Sequence, residues 1–335
     1  MWLRPFLNWC CPAGSGNLSH MISDGQALRP VLCGFLFLLT AATPLLGDVG
    51  EPREVAPGVW FHEGDLVRRA HSNSGWIALK DGVFVVEANY PSGAEDVLPK
   101  IRRTVPGPIR YAFDTHHHGD HAYGNRVWAD QGATIVAHEG VLRAMQQFET
   151  GYFGGGPGRW EGEAKVRPDV ARSRLTLPTL LFSERLVLDD GQRRVELLHL
   201  GVAHTRGDGF VWLPKERVLF TGDACVNGPY NNAGDGSVVA WPDTLRSAMA
   251  LKPRIVCPGH GLVGGPELLE HQLAFVEGVR NEVKSFVDTG ADMIAVRKAL
   301  PAIREHLRRD EGVRNLVGDN LSGMVEKVFQ ELTRH

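Results

Sequence analysis

A chain of 335 residues, 43% hydrophobic and 22% charged, has an ordinary globular composition and enough length to bury a sizeable core. Its formal charge of −3 leaves no basic surplus, which argues against nucleic acid or an anionic lipid surface as the partner. Composition alone says nothing further about the partner.

The first segment in chain order is a leader, residues 1–47. Pro30 to Gly47, PVLCGFLFLLTAATPLLG, carries no charge, follows Arg29 and ends in small residues. This order reads as a secretory signal peptide cleaved between Ala42 and Gly47, with Met21 as an alternative start. An uncleaved anchor is the rival reading, because the run just reaches spanning length. Either way the mature chain is expected to be exported, periplasmic or secreted, and to meet a membrane only through the leader. Of the five cysteines, Cys10, Cys11 and Cys33 lie in the leader. Cys225 and Cys257 remain, read as small buried residues beside the site, with a disulfide as the alternative.

Strand signals begin at Val59-Trp60-Phe61. Gly75–Leu79 and Gly82–Val86 flank Lys80-Asp81 as a hairpin. Glu95 to Val105 has helical spacing, with Val97, Leu98, Ile101 and Val105 on one side. Ile109–Phe113 and Ala133–Ala137 read as strands, and Glu139–Phe148 as a helix. Gly151–Arg167, containing YFGGGPGRW, reads as an irregular loop over the site, with Tyr152, Phe153 and Trp160 lining a pocket or anchoring the loop. Strands are then expected at Leu180–Leu188, Arg194–Leu200, Gly209–Leu213, Val218–Thr221 and Arg254–Cys257, with a helix at Thr244–Leu251. Beyond Gly265 the pattern is helical: Pro266–Thr289, Asp292–Leu300 and Ser322–Thr333. Leu268, Leu269, Leu273, Val276 and Val279 form one apolar face.

The chemistry concentrates in THHHGDH, residues 115–121. His116 and His118 are two apart, so an extended backbone projects both rings to one side and His117 to the other. Gly119 permits a turn, after which Asp120 and His121 aim at a neighbouring point. The pattern therefore supplies two ligand pairs, as two adjacent metal ions need. His204 in GVAHTRGD, Asp223 in FTGDA and His260 in CPGHG each follow an expected strand, the place where α/β sheets deliver functional side chains. Seven nitrogen and oxygen ligands without thiolate suit zinc, with iron or manganese compatible. Asp114 and Asp208 are read equally as second partners of ligand imidazoles and as turn formers. Tyr230, Asn231 and Asn232, in PYNNAGDGS, are read as oxyanion donors or plain loop residues.

THHHGDH, GVAHTRGD, FTGDA and PGHG, in this order and at these spacings, resemble the metallo-β-lactamase superfamily. The resemblance implies an α/β fold, an αββα sandwich over residues 48–265 with a C-terminal helical extension, 266–335. It implies two Zn(2+) ions: His116, His118 and His204 on the first, Asp120, His121 and His260 on the second, and Asp223 bridging. Aspartate at 223 resembles the hydroxyacylglutathione hydrolase and lactonase type, where classical β-lactamases carry cysteine or serine. The implied activity is zinc-dependent hydrolysis of an ester, thioester, lactone or amide by a metal-bridging hydroxide, with Asp120 as the catalytic proton carrier. The alternatives are a mononuclear iron oxidoreductase of the persulfide dioxygenase kind, a β-lactamase proper, and a non-catalytic binding module.

Overall fold

Residues 50–148 and 158–334 are described by a computed structural model. The leader, and Tyr152 and Phe153 of the expected loop, lie outside the described residues. Strands β1 (Arg53–Ala56), β2 (Val59–His62), β3 (Ser74–Leu79) and β4 (Gly82–Val86) form an antiparallel meander. A short helix, α1 (Leu66–Arg69), sits between β2 and β3. Helix α2 (Pro91–Thr104) then crosses to β5 (Ile109–Asp114), which pairs in parallel with β4. Its start lies upstream of the apolar spacing because Pro91 occupies the first helical positions, where a missing N–H costs nothing.

After β5 come α3 (Gly119–Ala122), α4 (Asn125–Asp130), β6 (Thr134–His138) and α5 (Glu139–Phe148). The described part of the expected loop is mostly helical, not irregular: α6 is Arg159–Val166, and α7, Pro168–Ala171, follows after Arg167. The glycine run misleads here, since Glu161, Glu163, Ala164 and Lys165 beyond it are good helix formers. The expected strand Leu180–Leu188 divides into two. Its first part, β7 (Leu180–Phe182), completes the first sheet beside β6, and β8 (Arg185–Asp189) opens the second sheet beside β9 (Arg194–Leu198). Ser183 and Glu184 bend between sheets, so one apolar run serves two edges.

The second sheet continues through β10 (Phe210–Leu213), β11 (Val218–Gly222) and β12 (Ile255–Pro258), in the order β12-β11-β10-β9-β8, with only β11 and β12 parallel. Side-chain alternation makes the layers. Phe84, Val86, Phe113 and Val136 of the first sheet meet Leu197, Val211, Leu213 and Phe220 of the second in one buried cluster. Val83, Val85, Ala112 and Ile135 point oppositely, onto Val97 and Ile101 of α2 and Trp128 of α4. On the far side of the second sheet, Phe210, Trp212 and Leu219 pack under α8 (Trp241–Ala250), α9 (Glu267–Asp288), α10 (Met293–Leu307) and α12 (Leu321–Thr333). The result is helix, sheet, sheet, helix, the expected αββα sandwich. A further short helix, α11, spans Glu311–Arg314, and α8 begins three residues before its expected start. Leu268, Leu269, Val276 and Val279 are buried with the sheet residues, so the C-terminal helices share the second sheet's core. No helix among the described residues is long and apolar enough to cross a membrane.

Candidate metal centre

Strand ends from both sheets meet at one edge. β5 delivers residues 115–121, the β9–β10 connection delivers His204, β11 delivers Asp223 and β12 delivers His260. Backbone bonds lock the loops together: Gly209 N–H donates to the Thr115 carbonyl at 2.8 Å and Asn73 N–H to the Gly259 carbonyl at 2.9 Å. Asn73 Nδ2 also donates to the carbonyls of Pro258 and Gly261, both at 2.8 Å. Glycine is required at two of the turns that follow the strands. A Cβ on Gly259 would lie 2.0 Å from Asp223 Oδ1, and one on Gly222, whose φ is +50°, would lie 2.3 Å from Thr115 Oγ1.

All seven expected ligands converge. His116 Nε2 lies 3.2 Å and His204 Nε2 2.9 Å from His118 Nδ1. Beside them, Asp120 Oδ2 lies 3.3 Å from His121 Nε2 and 3.2 Å from His260 Nε2, and the two imidazole nitrogens are 3.3 Å apart. Asp223 joins the groups: Oδ2 is 3.6 Å from His204 Nε2 and 3.3 Å from His260 Nε2, while Oδ1 is 3.5 Å from His121 Nε2. His116, His121, His204, Asp223 and His260 are buried, whereas the His118 and Asp120 side chains keep about a fifth of their surface. Gly119–Ala122 is one helical turn, the geometry that re-aims Asp120 and His121.

The hydrogen bonds behind the cluster assign the tautomers. His204 Nδ1 donates to the Asn232 carbonyl at 2.6 Å and His118 Nε2 donates to Asp235 Oδ2 at 2.9 Å. Thr115 Oγ1 donates to Glu87 Oε1 at 2.7 Å, and so accepts from His116 Nδ1 at 3.1 Å. Each inner nitrogen therefore presents a lone pair, and lone pairs 2.9 and 3.2 Å apart repel unless a cation lies among them. Asp223 Oδ1, buried without a hydrogen-bond partner, points to the same need. The donor set fits a metal ion.

Electrostatics sorts the residues further. Burial, reinforced by neighbouring imidazoles, holds His116 and His118 below the usual histidine range and His204 at about 4, so these three are neutral. For His121 and His260 burial acts in the same direction. At His121 the Asp120, Glu87 and Asp223 carboxylates overcome it and raise the ring well above its ordinary value. At His260, Asp223 and Asp120 do so and raise it to about 9. Asp120 and Asp223 are pushed up by burial, and His121 and His260 reverse this and hold both below the carboxylate range. Without a cation, the second group thus compensates its own charges.

One residue the sequence did not flag stands directly behind a ligand candidate. Glu87, buried at the end of β4 with φ of +72°, places Oε2 3.2 Å from His121 Nδ1. The available signal was a lone acidic residue ending an apolar strand next to β5. Asp114 accepts from Asn125 Nδ2 at 2.7 Å, not from a ligand imidazole. Asp208 accepts from Thr205 N and Oγ1, at 2.9 and 2.6 Å, and so is a turn former. His117 turns away from the ligand candidates and is buried, with Nε2 3.3 Å from Asp235 Oδ2. Asn231 is tied to Gln272 at 2.6 Å and to the Leu316 carbonyl, which removes it as an oxyanion donor. Trp160 packs on Tyr123, ring centroids 4.7 Å apart, and so anchors its segment. Cys225 and Cys257 are buried free thiols whose pKa burial pushes up, and they form no disulfide.

A cavity of about 650 Å³ adjoins His260, lined by Leu66, Val67, Tyr230, Arg308 and Val317 among others. Arg308 and Val317 belong to the C-terminal elements, which therefore form one wall of the approach to the centre.

Comparison with known proteins agrees with this arrangement. The family model of the metallo-beta-lactamase superfamily matches residues 67–260. A metallo-beta-lactamase type 2 of Bacteroides fragilis is 36% identical over 109 residues, 31% of this chain and 44% of that enzyme, so the alignment spans less than half of that relative. One from Bacillus sp. (strain 170) is 24% identical over 227 residues, 64% of this chain and 77% of that one. The solved metallo-beta-lactamase from Pontibacter korlensis superposes with a TM-score of 0.55 at 20% identity, covering 68% of this chain and 98% of that one, a likeness of fold. The matched model spans more than half of the 335 residues and contains all seven converging side chains, and the chain belongs to the metallo-beta-lactamase superfamily.

Proposed function

We propose that the protein is an exported, binuclear, zinc-dependent hydrolase acting on an ester, thioester, lactone or amide carbonyl of a small molecule. The observation that carries this reading is the pair of donor groups joined by one carboxylate. His116, His118 and His204 would hold the first ion, Asp120, His121 and His260 the second, and Asp223 both. Two divalent ions there would supply a water acidified towards neutrality and a Lewis acid for the carbonyl oxygen.

The chain's residues supply the rest. Asp235, Thr115 and the Asn232 carbonyl hold His118, His116 and His204 with lone pairs inward, and the Glu87 carboxylate faces His121, so the site is preorganised. Asp120 engages the imidazoles through Oδ2, which leaves Oδ1 to orient the nucleophile and to carry its proton to the leaving group. Tyr230, whose ring centroid is 5.8 Å from that of His260, lines the cavity beside the donor cluster. Leu66, Val67 and Val317 give that cavity an apolar side and Arg308 a cationic one, which suits an organic substrate with an anionic or polar end. Aspartate at 223 supports the hydroxyacylglutathione hydrolase and lactonase type over a classical β-lactamase. Export is supported by the uncharged run before Asp48.

The test is metal analysis of mature protein beginning near Asp48, purified without added metal. It is followed by a panel of lactones, thioesters, phosphodiesters and β-lactams with zinc-loaded enzyme. Two equivalents of zinc and metal-dependent turnover of a carbonyl substrate are expected. One iron with oxygen consumption would overturn the proposal, and no turnover on any substrate would favour a binding module.

A further inference from the structure

Asp235 lies in the loop after β11, outside the seven converging residues, yet it touches them. Its Oδ2 accepts from His118 Nε2 at 2.9 Å and from Arg159 Nη1 at 2.7 Å, while Oδ1 accepts from Arg159 Nη2 at 3.0 Å. Arg159 is the first residue of α6, and its guanidinium lies 4.2 Å from the Phe148 ring centroid at the end of α5. The His117 ring stacks on the same phenyl group, 5.5 Å away and 23° from parallel, with Nε2 3.3 Å from Asp235 Oδ2. Three segments far apart in sequence thus close around the outer edge of His118.

We infer that Asp235 and Arg159 are a positioning pair for the first metal half-site: Asp235 fixes the proton on His118 Nε2 and the lone pair on Nδ1, and Arg159 fixes Asp235. This rests on the binuclear reading above. A neutral imidazole offers one lone pair, and a carboxylate accepting from the far nitrogen decides which one. The carboxylate itself needs restraint, because an aspartate so close to a cation site competes as a ligand if it can turn. The two-pronged guanidinium contact occupies both oxygens and removes that freedom. The same contact argues against a further cation among His117, His118 and Asp235, whose donor atoms also cluster, since a positive group already sits there.

The pair acts on one half of the centre only. His121, in the other half, has its own partner in Glu87. Weakening should therefore be confined to one zinc equivalent, which separates positioning from general loosening of the fold.

The experiment is zinc titration against a chromophoric chelator for the mature wild-type chain, Asp235→Ala, Arg159→Met and Arg159→Lys. Absorption spectra of the cobalt(II) forms and thermal melts of the metal-free proteins accompany it. In Asp235→Ala one of two equivalents should weaken about 10–100-fold, the usual effect of losing such a partner, with the other unchanged. Arg159→Met should weaken the same equivalent, and Arg159→Lys should restore part of it, because lysine keeps the charge but not the fork. The cobalt spectrum should change for that site alone. Wild-type affinity at both sites in Asp235→Ala overturns the inference, as does equal weakening of both together with a lowered metal-free melting temperature. If Asp235→Ala does not fold, Arg159→Met decides by the same criteria. A wild-type chain that binds no zinc overturns the hydrolase reading as well; two zinc ions in the wild type with no effect in the variants overturns this inference alone.

Discussion

Replacing Asp223 by asparagine is the sharpest test of the joint between the two half-sites. The substitution keeps shape and volume but removes one negative charge and turns one oxygen into an N–H donor. Both oxygens face imidazole nitrogens at 3.3 to 3.6 Å, so whichever way the amide turns, a donor meets a lone pair meant for a cation. At about 4 Å and an effective dielectric of about 20, one unit charge pair is worth about 4 kcal/mol. At about 1.4 kcal/mol per decade, that is about a thousandfold in kcat/KM. The assay is kcat/KM on a substrate found in the hydrolase panel, at saturating zinc, with zinc stoichiometry on the same sample and a thermal melt as the folding control. Asp223→Asn should lose about three decades and bind one zinc or none. A variant within tenfold of wild type that retains two zinc ions would refute the bridging role. The metal-free protein offers a second readout, the His260 ring, held at about 9 with Asp223 as the leading carboxylate partner. Since its folded pKa is raised, its stabilising contribution is complete below about 6.5 and is lost as pH rises through about 9. In Asp223→Asn the ring should titrate closer to 6.5, and the alkaline loosening of the metal-free fold should shrink.

Two further outcomes follow from the core. His62 is held at about 4 by burial and by Lys100, whose Nζ lies 2.7 Å from its Nε2. The unfolded chain takes up that proton near 6.5 and the folded chain only near 4, so stability falls as pH drops across this window, by up to about 3 kcal/mol. Urea unfolding at pH 7 and 4.5 should show a shallower acid loss in His62→Gln; an equal loss would assign the effect to other groups. Phe275 of α9 is 1% exposed within the cluster that includes Trp212 and Leu219 of the second sheet. Phe275→Ala should cost about 3–5 kcal/mol and lower one cooperative melt, and a separate early transition for the C-terminal helices would show instead that they unfold on their own.

Much of the site was legible along the chain because its ligands sit in short local motifs. In His-x-His-x-Asp-His the backbone alone dictates which rings can meet, and glycines flanking His118, His260 and Asp223 mark where it must turn. Strand positions were equally local: Gly82–Val86 and Ile109–Phe113 were read within a residue of β4 and β5. The misreadings also have a local cause. Leu180 to Leu188 is apolar enough for one strand, and only the competition of two sheet edges for its halves breaks it at Ser183. The glycine run before Arg159 reads as loop, and that signal masked the helix formers behind it.

The residues that hold the ligands were not legible, for a different reason. Glu87 meets His121 because β4 lies parallel to β5, with Val86 beside Phe113, a register that no motif encodes. Asp235 reaches His118 across 117 positions and Arg159 across 76. An isolated acidic or basic residue carries no sign of its partner until the chain closes. From sequence alone, then, four short motifs and their resemblance to the superfamily implied the sandwich and named the seven side chains that converge, because ligand spacing is a short-range property. Tertiary structure alone decided which carboxylates stand behind those imidazoles and which C-terminal residues wall the cavity, because these are contacts between distant segments.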